Sequence, residues 1–551
     1  MQIQYDAIIV GAGLCGGLCA NELAAAGLKI LVLEAGHEYT SRHDYLHNYY
    51  TADSSIRGLA ETPYPVFPQA PFPKSFAMND YYVQHGPKHE RYDATYLRMV
   101  GGTTLHWLGT TLRMHPNDFK LQTLYNVGKD WPLSYEELEP WYCKAETILG
   151  VSGDSTAPSH SPRSKPYPMP EIPMSYLGLK VKHATQGMLF DGNELIVIPT
   201  PQARNSIAGY QNRPACVGNH SCIPICPIQA KYDALVHINK ARAHGAQIQA
   251  ESVVHSLEVD EFGNIAQLNY LRWDGSKQTV RAKIYIIAAH GIESPKLLLN
   301  SRHAKFPHGI ANRSDQVGRN LMDHPSQLSY ALANEALYPM RSPLSTSGIE
   351  SIADGPFRKK SASFRVQISD TGWSWPTKSP YSTLDHFLER GYFGAELEKL
   401  ISENVSKQIS LNALLEMLPQ ATNRVTLDDK KDALGIPRPR IHFKLDDYTR
   451  LGLARARELH TNIFNKVGVN DIKHFTDNEW VGSGHIIGTL RMGNNPNDSV
   501  VDKNLRSHDH KNLFVLGSSV FPSSACVNPS LTIAALTLRT AEIIKKYFNV
   551  H

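Results

Sequence analysis

Three cysteines ask for chemistry first. Cys216-x5-Cys222-x3-Cys226-Pro227 gathers three thiols into one Pro-punctuated loop, where free thiols so close together would oxidise. The Cys-x3-Cys-Pro spacing also closes ferredoxin cluster runs, and three thiolates without a fourth suit a three-iron cluster, which lacks one corner iron. A zinc site with His220 as fourth ligand and three plainly buried thiols are the alternatives. Cys15, Cys19, Cys143 and Cys526 complete a set of seven, an odd and sparse set that argues against a disulfide framework.

The second chemical stretch is Gly11-Ala12-Gly13-Leu14-Cys15-Gly16. Gly11 allows a tight turn, Gly13 lets backbone approach a pyrophosphate, and Gly16 lets helix and strand pack closely. The helix N-terminus then faces the phosphates, and a carboxylate about 20 residues on, Glu34, accepts the ribose hydroxyls. The context this motif needs is present. A buried strand precedes it at Tyr5 to Val10, an Ala/Leu-rich helix follows to Gly27, and a second strand runs from Ile30 to Leu33. The stretch is a dinucleotide site.

Around these sites, 551 residues suffice for a large core and two or more structural units. A net charge of +4 marks no nucleic-acid surface. No run is long enough to span a membrane, and the nucleotide-binding strand begins where a secretion signal would lie. Pro63, Pro65, Pro68, Pro71 and Pro73 make residues 41–93 an extended arm. Ser134 is a helix N-cap with Glu136 and Glu137 in the first turn. Residues 230–243 read as a helix, and 247–259, 265–273 and 278–289 as strands. A Leu-rich helix opens at Gly291-Ile292-Glu293-Ser294-Pro295, and the closing helix begins near Pro529.

GAGLCG with Glu34, the Gly101-Gly102-Thr103-Thr104 loop, GIESPKLLL, VGRNLMDHP, HIIGTLRMG and NPSLTIAALTLRTAE occur in an order that resembles the glucose–methanol–choline family of flavin oxidoreductases. PQARNS, RPACVGNHSCIPICPIQAKYDA and VVDKNLRSHDHKNLF resemble its bacterial sugar-dehydrogenase branch, the catalytic subunits of fructose, glucose, gluconate and glucoside 3-dehydrogenases. The resemblance implies an α/β fold. A Rossmann-type FAD domain would be assembled from 1–40, 94–150, 230–330 and 475–551, and an α+β sheet-based substrate domain from 151–212 and 331–474. Residues 213–229 would be the cluster loop.

It also implies FAD in the Gly-rich site, held by Gly11, Gly13, Leu14, Cys15, Gly16, Glu34 and Ala35, with Val254 making the adenine contact. Gly101, Gly102, Thr103, Thr104, His106, Trp107, Gly517, Ser518 and Pro529 would lie along the cofactor. Gly517 stands where many relatives carry Asp. Leu105-His106-Trp107 is similar to a pyranose oxidase loop whose histidine bonds covalently to the flavin, and would permit that bond here. His485 is implied as the base and Asn528 as the partner of the substrate oxygen. Histidine suits the task because its ordinary pKa is near neutrality.

The resemblance carries a [3Fe–4S] cluster onto Cys216, Cys222 and Cys226. A flavin takes two electrons as hydride whereas a cluster passes them singly, so the pair reads as a dehydrogenase with an external acceptor. The expected reaction oxidises a secondary hydroxyl of a sugar or glycoside, at ring carbon 3 in preference. Gly484 favours that choice, because fructose and glucose dehydrogenase relatives carry Asn there. An oxygen-using oxidase and a non-catalytic flavin or cluster electron carrier are the competing readings. The expected partners are a small subunit carrying an export signal and a cytochrome c. The expected place is the bacterial periplasm, peripheral to the inner membrane, with the cytoplasm as the alternative.

Overall fold

Strands distant in sequence meet in one parallel sheet. The computed structural model describes residues 3–47, 69–71, 81–86, 92, 96–223, 225–373, 381–475 and 481–550. β1 (Tyr5–Val10) is followed by α1 (Leu14–Ala25) and β2 (Ile30–Leu33). β3 (Gln247–Gln249), β4 (Ala282–Ile287) and β5 (Leu513–Val515) join them in the order β5-β4-β1-β2-β3, every pair parallel. Ile8, Ile9, Val32, Ile286 and Ile287 are fully buried, as a sheet covered on both faces requires. One cover is α1 with α2 (Ser530–Tyr547) and the helix Tyr135–Leu149. This is the α/β, Rossmann-type architecture expected from the sequence.

Above it lies an antiparallel sheet. Val469–His474, Pro325–Ala333, Gln408–Leu415, Phe364–Ser369, Ser347–Ile349 and Val197–Pro199 follow one another across it, and Val481–Gly482 pairs with the Pro325 end. The long helix Asp447–Val467, N-capped by Asp446 through the Thr449 amide, backs the sheet. Gln408–Leu415 is buried along its whole length because both of its faces are covered.

Several sequence readings need correction. Residues 247–259 are two strands in two different sheets, broken where Glu251 adopts φ +53°. The helix expected over 230–243 begins only at Leu235, because Lys231 and Asp233 are held by loop contacts. Most of the 41–93 arm, including Pro63, Pro65, Pro68 and Pro73, lies outside the described residues. Of the rest, 42–47 is helical rather than extended, whereas Val83–His85 is extended and pairs in parallel with Pro437–His442. The Ser134 cap is as expected, with Ser134 and Glu137 bonded reciprocally.

Candidate active site

Local chain geometry at the Gly-rich turn leaves a space for phosphate. A Cβ on Gly16 would stand 1.8 Å from the Gly11 carbonyl oxygen, and one on Gly11 2.5 Å from that of Ala288, so both glycines serve close packing. A Cβ on Gly13 would meet only the Gly102 Cα, at 4.0 Å, and would project into a cavity of about 530 Å³. Gly13 caps α1 without any side-chain hydrogen bond, leaving the helix N-terminus open to an anion. Leu14 and Cys15 line the cavity at this point.

Glu34, at the end of β2, accepts the Ala12 amide on Oε2 at 2.8 Å and the Gly36 amide on Oε1 at 2.9 Å. The second lone pair of each oxygen stays available to ribose hydroxyls. Burial nevertheless pushes the carboxyl above its ordinary pKa. Ala35 and Val254 continue the cavity wall beyond it, and Gly102, Thr103, Thr104 and Trp107 form the opposite wall. Thr104 is fixed by donating to the Gly101 carbonyl and accepting the Ala234 amide. Gly517, Ser518 and Pro529 close the far end.

Gly16 and Gly101 lie behind the wall. His106 departs from expectation: it is buried away from the cavity, with Nε2 2.8 Å from the Tyr45 hydroxyl. This placement gives no support to a covalent link to a ligand in the cavity.

His485 and Asn528 meet at the sheet end of the cavity, with Asn528 Nδ2 3.2 Å from His485 Nε2. Asn528 Oδ1 is buried without a partner. The His485 amide donates to Asp323 Oδ1 at 2.8 Å, and its ring Nδ1 lies 2.8 Å from Nδ1 of His324. Burial pushes His485 well below its ordinary pKa, with His324 and Arg365 adding to the effect. His485 is therefore neutral, a base ready for a proton. The cavity floor beside it mixes polar and apolar groups: Ser326, Gln367 and Asn412 project from three neighbouring strands between Leu328 and Leu414, and the buried Asn412 Oδ1 has no partner.

A cavity with a phosphate cradle at one end and a neutral imidazole at the other suits redox chemistry on a dinucleotide. Family models described as GMC oxidoreductase match residues 5–326 and 419–537. The chain belongs to the GMC oxidoreductase family. It is an FAD-dependent enzyme, and the cradle around Gly13 and Glu34 fits that cofactor.

Fructose dehydrogenase large subunit of Gluconobacter japonicus is 38% identical over 98% of both chains. 2-Methyl-1,2-propanediol dehydrogenase of Mycolicibacterium austroafricanum is 27% identical over 99% of this chain and 96% of its own. Among solved structures, pyridoxine 4-oxidase from Mesorbium loti shares the fold at a TM-score of 0.66 and 19% identity over 100% of both chains. A formate oxidase shares it at 0.68 and 16% over 99% of both.

The cysteine loop packs behind the Trp107 wall. Cys222 and Cys226 are buried and Cys216 is half-buried. Arg204 Nη1 lies 3.1 Å from Cys222 Sγ and 3.7 Å from Cys216 Sγ, while Nη2 donates to the Leu108 carbonyl. The Arg204 guanidinium holds Cys222 below its ordinary pKa despite burial. Lys231 is fully buried too, donating to the Leu105 and Trp107 carbonyls, and burial pulls it down to about 8. Among the described residues, no three His, Cys, Asp or Glu converge on a single ion position.

Asp323 and His324 lie in the VGRNLMDHP motif without an assigned role, and Gln367 and Asn412 fall in the 331–474 block, where the sequence singled out neither. The available signals were the Asp-His pair just before Pro325 and polar residues on the buried faces of apolar strands.

Proposed function

We propose that this protein is an FAD-dependent sugar dehydrogenase that oxidises a secondary hydroxyl of a sugar or glycoside to the ketone. The observation that carries the reading is the neutral His485 paired with Asn528, facing a floor that offers Ser326, Gln367 and Asn412 between Leu328 and Leu414. Such a floor suits a polyhydroxylated substrate, since each of the three side chains can bond a hydroxyl. Full-length similarity to a fructose dehydrogenase large subunit supports a sugar.

The Asn528 amide orients the reacting oxygen and His485 Nε2 takes its proton. FAD, when bound, supplies the hydride acceptor. Ring carbon 3 of a glycoside is the finer reading. Gly484, at φ +69° beside His485, puts no side chain into the cavity at the position where the sequence resemblance expects Asn for a fructose dehydrogenase. Fructose itself is the second reading, favoured by the 38% identity. Dye reduction by D-fructose, glucose, gluconate, lactose, sucrose and methyl glucosides, with NMR of the product, tests both. Hydrogen peroxide formed rapidly in air without dye would instead mark an oxidase.

We further propose a [3Fe–4S] cluster on Cys216, Cys222 and Cys226. Each thiolate of such a cluster binds a different iron, so the sulfurs need not converge on one point, as a zinc site with His220 would require. Arg204 and Lys231 supply positive charge for an anionic group. Leu108 lines the FAD cavity and packs against Cys222 and Ile223, so a single residue separates the two sites there. A cluster in that position supplies a one-electron outlet. A small subunit and a cytochrome c would complete the route outside the cytoplasm. Iron analysis and absorbance near ~400 nm beyond the flavin bands test the cluster.

A further inference from the structure

His485 can act as a base only if the lone pair, and not the proton, sits on Nε2. Its neighbours decide which. His324 Nε2 lies 3.2 Å from the Ser524 carbonyl oxygen and 3.1 Å from that of Ala525. Both groups only accept, so His324 Nε2 carries a hydrogen. His324 is fully buried, and burial pulls its pKa down to about 4, so the ring is neutral and its Nδ1 is bare. That bare nitrogen lies 2.8 Å from His485 Nδ1, which must then carry the hydrogen between them. His485 Nε2 is left with its lone pair, facing the Asn528 amide donor. The acceptor end and the donor end of the chain of bonds give the same answer.

We propose that His324 is a positioning residue that holds His485 in the tautomer with Nε2 bare toward the substrate, and that it can relay the proton His485 receives. The surrounding backbone is built for this. Ala525 adopts φ +53°, uncommon for a residue with a Cβ, in the turn that presents two successive carbonyls to one ring nitrogen. Ser524 Oγ ties that turn to the sheet end, accepting the Met417 amide at 2.9 Å and donating to its carbonyl at 3.1 Å.

When the substrate O–H breaks, its proton forms the N–H at His485 Nε2. The proton on His485 Nδ1 then passes to His324 Nδ1. The positive charge comes to rest on a ring whose other N–H stays on two carbonyl oxygens. Asp118 adds negative charge on the side of His324 and Arg365 positive charge.

The inference rests on His485 being the base, and the experiment separates the two claims. In holoenzyme labelled with nitrogen-15 histidine, the signals lost in His485→Ala identify His485. At pH 7 they should show Nδ1 protonated and Nε2 bare; the reverse tautomer would overturn the proposal whatever the substrate. Anaerobic flavin bleaching by D-fructose and by methyl α-D-glucoside gives the kinetic arm. His324→Leu should lower the rate about 100-fold. His324→Gln, whose amide can accept from His485 and donate to the carbonyls, should recover to within about 10-fold of wild type. Equal loss in the two variants at full FAD content would overturn the positioning role. A His485→Ala enzyme as fast as wild type would overturn the base assignment itself.

Discussion

Two buried polar clusters flank the FAD cavity, and their charge differs. At the sheet end, His324, His485 and Asn528 are neutral and are linked by directional hydrogen bonds. Behind the Trp107 wall, Arg204 and Lys231 bring two buried cations whose hydrogen-bond partners are thiols, an amide oxygen and carbonyls; Asp233 pairs with Arg42 instead. Unpaired buried charge is costly, whereas a neutral network is not. The neutral cluster suits movement of one proton over short bonds. The cationic one suits an anionic group that exchanges electrons. Substitutions on the two sides should therefore fail in different ways.

The largest effect is expected from His485→Ala. Loss of a general base should cost about 10³-fold in kcat, with FAD content and the visible flavin spectrum unchanged. Steady-state dye reduction checks it, and a loss under tenfold would show that proton removal lies elsewhere. On the other side, Cys222→Ser should leave reduction of the flavin by sugar intact in stopped flow. Transfer to a one-electron acceptor such as cytochrome c should fall about 100-fold, together with iron content. Equal loss in both half-reactions would dissolve the distinction between the two clusters.

Lys231→Met sharpens the same contrast with a smaller effect. If the thiols are bare, removing a buried cation should leave thermal stability unchanged or raise it. If they hold an anionic cluster, the cation stabilises the reduced state. Charges ~7 Å apart at an effective dielectric of ~20 interact by ~2 kcal/mol, or about 100 mV for one electron. Redox titration followed by electron paramagnetic resonance should show the potential lowered by an amount of that order.

How far these features could be read from sequence depended on how local their causes are. The βαβ turn at Gly11–Glu34 was legible because its strand, helix and glycines are consecutive, and each glycine's role appears in the space around its missing Cβ. The Ser134 cap was legible for the same reason. The break at Glu251 was not, because Gln247–Gln249 and Ser252–Val259 both read as strand and only pairing with β2 and with Ile265–Arg272 separates them. His106 was misplaced because the loop's resemblance says nothing of the direction its ring takes, which is set by Tyr45, 61 residues away. His485 and Asn528 were found through motifs. Their partner His324, 161 positions from His485, needed the fold, since nothing in the sequence marks two histidines as sharing one hydrogen.

The smallest expected effect is a near absence of change with pH. His485 is held below its ordinary pKa by burial, by His324 and by Arg365. A base with a lowered pKa keeps its lone pair as pH falls past 6.5 and loses it only on passing through the lowered value. kcat/KM for the sugar should therefore change less than about twofold between pH 8 and pH 6, and fall only below that range. Asp323 could imitate an earlier limb, because burial raises it to about 7 while the amides of Ser483, Gly484, His485 and His324 pull the other way. Its charge would disappear as pH falls through that value, beside the base rather than on it. Asp323→Asn distinguishes the two, since an amide oxygen still accepts backbone N–H groups but cannot titrate. A limb near pH 7 that vanishes in Asp323→Asn belongs to the carboxylate. A limb near pH 7 that survives the substitution belongs to His485, and would mean that the imidazole pair is not the neutral cluster that sets it apart from the cysteine loop.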